Sequence, residues 1–433
     1  MVDFNDPDLD DPDLDFDGYI ETDSDEDSCV DYSNSITSPK LGVKDGLNAF
    51  PGYQLKAKAS QAPPDCFKPE IKENMQIGAI IMEHSLPFLP AKSLCRFKTV
   101  SRGWNQYIST PFFSHRQANC FRDISGFFCQ VPGYNPFLIS IDSLAFGIPS
   151  PSLSFLPESV TIRSACNGLL CCQGQDGNDA YYICNPVSEQ YEVLPKPNLY
   201  HGPESVVALV FEPAIYNFAA NFELVCAIPM IGQPVVCFEI YSSRSRMWRM
   251  VDTLCCELEG LKLCADGFYM KGICYWETVS GAVLAFDLKN EEYGIFLLPS
   301  NSGPQGVLTV MHGELCYILP HQQESQWMID IYGDVTMTLK QRIYCHLGNF
   351  LYDTMELLQA LPFGSDDLLM LYNGTRLIAY HVKEQKATSI SELSSDKFVR
   401  FVPYVNSLVQ VDRHPWLSGM LRQMSIEESN CRL

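Results

Sequence analysis

Short β-rich runs, each led by a turn residue or a glycine, recur along most of the chain, and this recurrence limits the fold more than any other feature. Asn167-Gly168 leads an apolar run at 169–171. A second run at 181–185, a turn at Asn185 to Ser188, and a returning run that Pro195 closes follow it. In physical terms this is a Gly turn, a strand, a four-residue turn and a strand stopped by a residue with no backbone N–H to donate. The unit returns with variation. Gly272 precedes 273–276 and 284–288, a turn at Lys289 to Glu291, and 295–298 before Pro299. His312-Gly313 and Asn373-Gly374 open two more. Counting Gly126 and the run 222–228, starts fall near 126, 168, 222, 272, 313 and 374, at intervals of 42, 54, 50, 41 and 61. That spacing averages close to the length of one propeller blade, about 40 to 50 residues. One hairpin pair cannot bury both of its faces, whereas sheets stacked around an axis can. The fold expected here is therefore an all-β domain, a β-propeller of six or seven blades, with a two-sheet sandwich as the alternative.

The segment ahead of the repeats has a different texture. Leu94, Phe97, Val100, Trp104 and Ile108 step by three, three, four and four residues, which places them on one stripe of a helical segment. Lys92, Arg96, Lys98 and Arg102 fall mostly off that stripe. An apolar stripe ordinarily packs on its own domain. Upstream, Pro87 crowds the preceding turn, so an earlier helix is expected to end by Ser85.

These residues also carry a resemblance. The run Leu89-Pro90-Ala91-Lys92-Ser93-Leu94, then Arg96-Phe97-Lys98, Val100-Ser101-Arg102, Trp104, Ile108-Ser109 and Pro111-Phe112-Phe113, resembles the F-box of plant F-box proteins. It departs from the family at Ile77-Gly78, where Leu-Pro is usual, and at His84-Ser85-Leu86, where Glu-Ile-Leu is usual. Further on, Ser164-Ala165-Cys166-Asn167-Gly168-Leu169-Leu170, Cys184-Asn185-Pro186, Gly272 with Tyr275-Trp276, Phe286-Asp287-Leu288 and residues 402–409 are similar to the F-box-associated, kelch-like domain of the same proteins, over roughly residues 120–412.

The resemblance implies a function. An F-box is too small to bury a full core alone and completes it against the Skp-type adaptor of a cullin-RING ubiquitin ligase. Leu89, Pro90, Leu94, Phe97, Val100, Trp104 and Ile108 would then be the adaptor-binding residues. The propeller would present loops to a target protein, with Tyr134, Trp276 and Trp327 as candidate contacts because exposed aromatic residues often anchor partners, and with packing inside a blade as the alternative for each. Such a chain is a non-catalytic receptor subunit of an SCF ligase in the nucleus or cytoplasm. Two alternatives stand beside it: an F-box protein outside the ligase that sequesters its partner, and a propeller that binds glycans or is itself an enzyme.

Composition narrows the field. The net charge is −22, but residues 1–31 hold fourteen acids and no Lys or Arg, leaving 38 acids against 30 bases elsewhere. No basic stripe suits nucleic acid. Dense like charge with little to bury predicts disorder over 1–70, ahead of helices at 71–118, the β domain at 119–412 and a loosely ordered tail at 413–433. Asp13, Asp15, Asp17, Gly18 and Ile20 match a calcium-loop spacing, yet Ser24 stands where a bidentate Glu belongs, so a weakly cation-attracting tail is the reading. No secretory signal or run of eighteen apolar residues is present, which predicts a soluble intracellular protein with no membrane contact. The eighteen cysteines lack any Cys-x-x-Cys pair, so free thiols and no metal are expected. The chain has no Gly-rich phosphate loop, His-Glu-x-x-His or Gly-x-Ser-x-Gly, and no cofactor is implied. Asp266, Asp287, Asp330 and Asp334 read as turn formers.

Overall fold

The structure is a computed structural model that describes residues 77–411 except 176–178, 215–216, 218, 231, 234, 258–261, 324–325, 348–357, 365–366 and 394–398. The acidic run, the calcium-like loop and the C-terminal tail lie outside the described residues.

Helices come first: α1 (Ile77–His84), a 3-10 turn at Leu86–Phe88, α2 (Ala91–Phe97), α3 (Arg102–Ile108) and α4 (Pro111–Cys120). The first ends before Ser85, as Pro87 requires. The stripe from Leu94 to Ile108 is not one helix, which corrects the periodicity reading. The chain turns at 98–101, and Ser101 adopts an extended conformation and caps α3 by accepting from the Trp104 N–H at 3.1 Å. Thr110 caps α4 the same way, accepting from the Phe113 N–H at 3.2 Å.

After β1 (Gly126–Gln130), β2 (Phe137–Ser140) and the one-turn α5 (Ser143–Phe146), five four-stranded antiparallel blades follow in sequence. They are β3 (Val160–Cys166) to β6 (Gln190–Val193), β7 (Val206–Val210) to β10 (Met247–Cys255), β11 (Leu263–Met270) to β14 (Glu292–Leu297), β15 (Val307–Met311) to β18 (Thr338–Cys345), and β19 (Gln359–Gly364) to β22 (Lys386–Glu392). The last strand, β23 (Arg400–Tyr404), returns to pair with β1 from Gly126↔Tyr404 to Gln130↔Arg400. First and last strands thus share one blade with β2, and the ring closes at six blades.

Burial explains why these sequences form blades. Strands within the blades, such as Leu169–Gly174, Tyr181–Asn185, Val206–Val210 and Ala282–Asp287, are buried at every position because each is covered on both faces. The outermost strand β6 instead alternates between half-buried and exposed positions. Six apolar cores fill the six gaps between neighbouring blades, one of them built around Phe238 stacked on Phe286 at 4.5 Å and another around Phe128 edge-on to Tyr404 at 5.3 Å. Asn167-Gly168, Lys271-Gly272 and His312-Gly313 all have positive φ and join the first strand of a blade to the second, as the two-residue primed turns of hairpins do. Asn373-Gly374 is out of phase. It joins β20 (Leu368–Tyr372) to β21 (Arg376–His381), the second strand to the third, which is why the last interval measured in sequence came out long.

Asp287 and Asp334 sit at turns, whereas Asp330 is a correction. It lies within β17 (Gln326–Gly333), fully buried, and its carboxylate takes two hydrogen bonds from Arg342 at 2.7 and 2.8 Å. Of Asp266, only the backbone can be placed: it pairs β11 with β7 opposite Val207.

Candidate functional site

The alternation of strands gives the propeller two faces. Turns between first and second strands and between third and fourth strands lie on one face. Second-to-third turns and the connections between blades lie on the other. The helices occupy the first face. Gln117, fully buried in α4, donates to the carbonyls of Leu89 and Asn406 at 3.4 Å each and accepts from the Leu408 N–H at 3.3 Å. The Lys92 ammonium reaches the Ser143 carbonyl, and His115 packs edge-on to Phe211 with ring centroids 6.1 Å apart. Leu408 and Val187 of the propeller join the helical core of Leu86, Ala91, Leu94, Ile108 and Phe113. Helices and propeller therefore share one apolar core and a set of buried hydrogen bonds.

The core of that helical unit is small, and apolar groups remain outside it. Val100 is 61% exposed in the α2–α3 turn, and Ile77, Phe88 and Phe112 are exposed as well. Phe97 and Trp104 meet edge to face at 5.6 Å and are half-buried, as are Leu89 and Pro90. Leu94 and Ile108 are fully buried beneath them. Of the seven residues singled out in the sequence, five thus reach the surface, while Leu94 and Ile108 shape it from below and cannot touch a partner directly.

On the opposite face, loops carry Tyr134 at 62%, Tyr200 at 68% and Val279 at 71% exposure, with Met230 less exposed. Tyr134 was legible in the sequence; the other three were not, because a single apolar residue in a loop has no periodic signal. Trp276 is a correction. It is fully buried in the core between the third and fourth blades, and it lies against Gly267, where an added Cβ would fall 2.1 Å from its indole nitrogen. No target can reach it. Trp327, in β17, is half-buried against the core between the fifth and sixth blades.

Buried polar groups serve architecture. The Glu239 carboxylate accepts from the Asn198 N–H at 3.0 Å, the Asn198 side chain at 2.8 Å and the Leu199 N–H at 3.2 Å, and it pairs with His201 Nε2 at 2.9 Å. Burial alone would push its pKa up. The hydrogen bonds from His201, Asn198 and Leu199 outweigh burial and hold it below the ordinary carboxylate value. Among the described residues the cysteines are free thiols, and no three His, Cys, Asp or Glu side chains gather as a metal site.

Three of the five motif segments converge on one latch. Asn185 donates to the carbonyls of Ser407 and Val409 at 3.0 and 2.6 Å and accepts from the Val187 N–H at 2.9 Å. Gly168 faces Ser407 so closely that a Cβ would lie 2.2 Å from its hydroxyl. Residues 166–168, 184–186 and 402–409, far apart in sequence, thus lock the C-terminal segment across the ring. The profile of the F-box-associated β-propeller domain matches residues 147–411, which include this latch and all but the first blade's leading strands. The chain belongs to the F-box-associated β-propeller family. Its relatives are plant F-box proteins. One from Arabidopsis thaliana is 28% identical over 228 residues, covering 49% of this chain and 61% of the relative. A second from the same plant is 22% identical over 332 residues, covering 71% and 78%. An F-box/kelch-repeat protein of that plant is 22% identical over 284 residues, covering 59% and 76%. The chain thus spans about three fifths of the first of these relatives.

Proposed function

We propose that the chain is the substrate-recognition subunit of an SCF ubiquitin ligase, docking a Skp-type adaptor through its helices and a target protein through the far face of its propeller. The observation that carries the adaptor half is the apolar surface left open on the helical unit: Val100 exposed, Phe97 and Trp104 half-exposed beside it, over a core too small to cover them. Such a surface is completed by a partner. The target half is supported by Tyr134, Tyr200 and Val279, which stand exposed on the face away from the helices. The buried hydrogen bonds of Gln117 tie helices and propeller together, so a target held by the loops is presented in a fixed orientation.

In this reading the chain performs no covalent chemistry. Cullin and RING subunits reached through the adaptor would supply the charged ubiquitin carrier, and the chain would raise the effective concentration of a target lysine near it. It would act in the nucleus or cytoplasm, where those subunits work. Gly78, in the first turn of α1, and Ser85, just after its end, favour one second reading, a partner-sequestering protein outside the ligase, because a glycine and a serine there offer a partner less apolar surface. Co-expression of the full chain with a Skp-type adaptor and cullin separates the two. A complex that survives gel filtration supports the ligase subunit, and its absence favours sequestration.

A further inference from the structure

The connection between the second and third blades, residues 194–205, lies on the face away from the helices and is held from below at several points. The Trp248 indole N–H donates to the Pro195 carbonyl at 2.7 Å. Glu239, in β9 (Val236–Ser242) and fully buried, accepts from the Asn198 N–H, the Asn198 side chain and the Leu199 N–H, and pairs with His201 at 2.9 Å. The other ring nitrogen of His201 meets the Tyr181 hydroxyl at 3.0 Å. Past it, the Ser205 N–H donates to the Gly202 carbonyl at 3.0 Å, and the Ser205 carbonyl accepts from the Arg163 guanidinium. Bonds on residues 198, 199 and 201 thus bracket Tyr200, which is 68% exposed. Its ring lies over Gly202, where an added Cβ would fall 3.0 Å from the ring. Burying a carboxylate is costly, and the partners of this one all lie in the loop, so the cost is offset by bonds that fix the loop.

Resting on the target reading above, we infer that Tyr200 is the anchor for the target and that Glu239 is its positioning residue. A loop already held in its binding shape loses little further freedom when a partner arrives, and a Tyr side chain offers a large rigid contact area for few rotatable bonds. Lys196 and Glu204, exposed in the same loop, carry opposite charges, so its rim favours neither an acidic nor a basic partner. The ring selects by its apolar face, and the matching group is an apolar side chain on an accessible segment of the target. Glu239 touches no partner. It acts by keeping the backbone at 198–201 in the arrangement that raises the ring.

The test selects phage-displayed random linear peptides on the full chain, resynthesises them, and measures their binding to the full chain and its variants by surface plasmon resonance. Tyr200→Ala should weaken them about thirtyfold or more, while Tyr134→Ala and Val279→Ser should change affinity by less than about threefold. Glu239→Gln, checked for folding by near-UV circular dichroism, keeps the ring but loosens the loop, so only a fraction of molecules is competent at any moment. Association should then slow about tenfold while dissociation stays within about twofold. A purely structural loss would not divide the two rates in this way. Asn198→Ala, at an exposed position, removes one of the same bonds and should slow association in the same sense even if Glu239→Gln does not fold. Peptides that depend on Tyr134 or Val279 but not on Tyr200 overturn the anchor and leave the far-face reading standing. Unchanged association with both Glu239→Gln and Asn198→Ala overturns the positioning. Peptides indifferent to all three far-face changes, or a library that yields none, overturn the inference together with that reading.

Discussion

At the scale of single residues, a side chain's surroundings decide whether it serves the surface or the core. His115 is nearly fully buried on the inner side of α4, its Nδ1 has no hydrogen-bond partner among the described residues, and burial lowers its pKa from 6.5 to about 4. The unfolded chain therefore takes up a proton at this site as pH falls below about 6.5, while the folded chain does not until about 4. Stability is lost across that window, by up to roughly 3 kcal/mol if the site opens only on unfolding. Urea unfolding between pH 7 and 5 should show a steeper decline for wild type than for His115→Phe, which keeps the contact with Phe211 and has no charge to acquire. Equal slopes would contradict it. Trp276 makes the same point for a candidate contact. Trp276→Ala should cost about 3 to 5 kcal/mol by guanidinium unfolding, a core cavity, while Tyr134→Ala and Val279→Ser should stay within about 0.5 kcal/mol of wild type.

At the scale of elements, the joint between α4 and the segment after β23 rests on one amide. Gln117→Leu should leave the Leu408 N–H unpaired, and hydrogen exchange in α4 should accelerate by roughly tenfold or more, the equivalent of a lost buried hydrogen bond, with the propeller's amides unchanged. Uniform acceleration across blades and helices would show that this joint holds up the whole fold instead. Nothing in the sequence marks Gln117, because a polar residue in a helix reads as solvent-facing. Other elements were legible in part. The Asn-Gly and x-Gly pairs at 168, 272 and 313 marked real hairpin turns, since only a positive φ at both positions fits the strand twist. The same letters at 373–374 marked a different turn, because the local chemistry of a hairpin does not record which pair of strands it joins. Third-to-fourth turns repeat more regularly still, with Glu189, Arg246, Glu291, Met337 and Gln385 all at positive φ, yet none is glycine and the pattern was invisible. The stripe from Leu94 to Ile108 misled for a related reason: steps of three and four describe one helix or two short helices that share a core equally well.

At the scale of the whole molecule, six inter-blade cores and a shared first-and-last blade make a ring whose two faces carry different elements. Helices are fused to one face through Gln117, Leu408 and Val187, and the exposed aromatic and apolar loops face away from them. In the proposed function the helical surface takes the adaptor independently of the far face. The measurement that tests it most directly is isothermal titration of a purified Skp-type adaptor into the full chain, its Val100→Asp, Trp104→Ala variant and its Tyr134→Ala, Val279→Ser variant. Wild type should form a one-to-one complex, the far-face variant should bind with the same affinity, and the helical variant, whose propeller still unfolds as wild type does, should lose binding. Adaptor binding that survives the helical changes, or that is lost with the far-face changes, would contradict it.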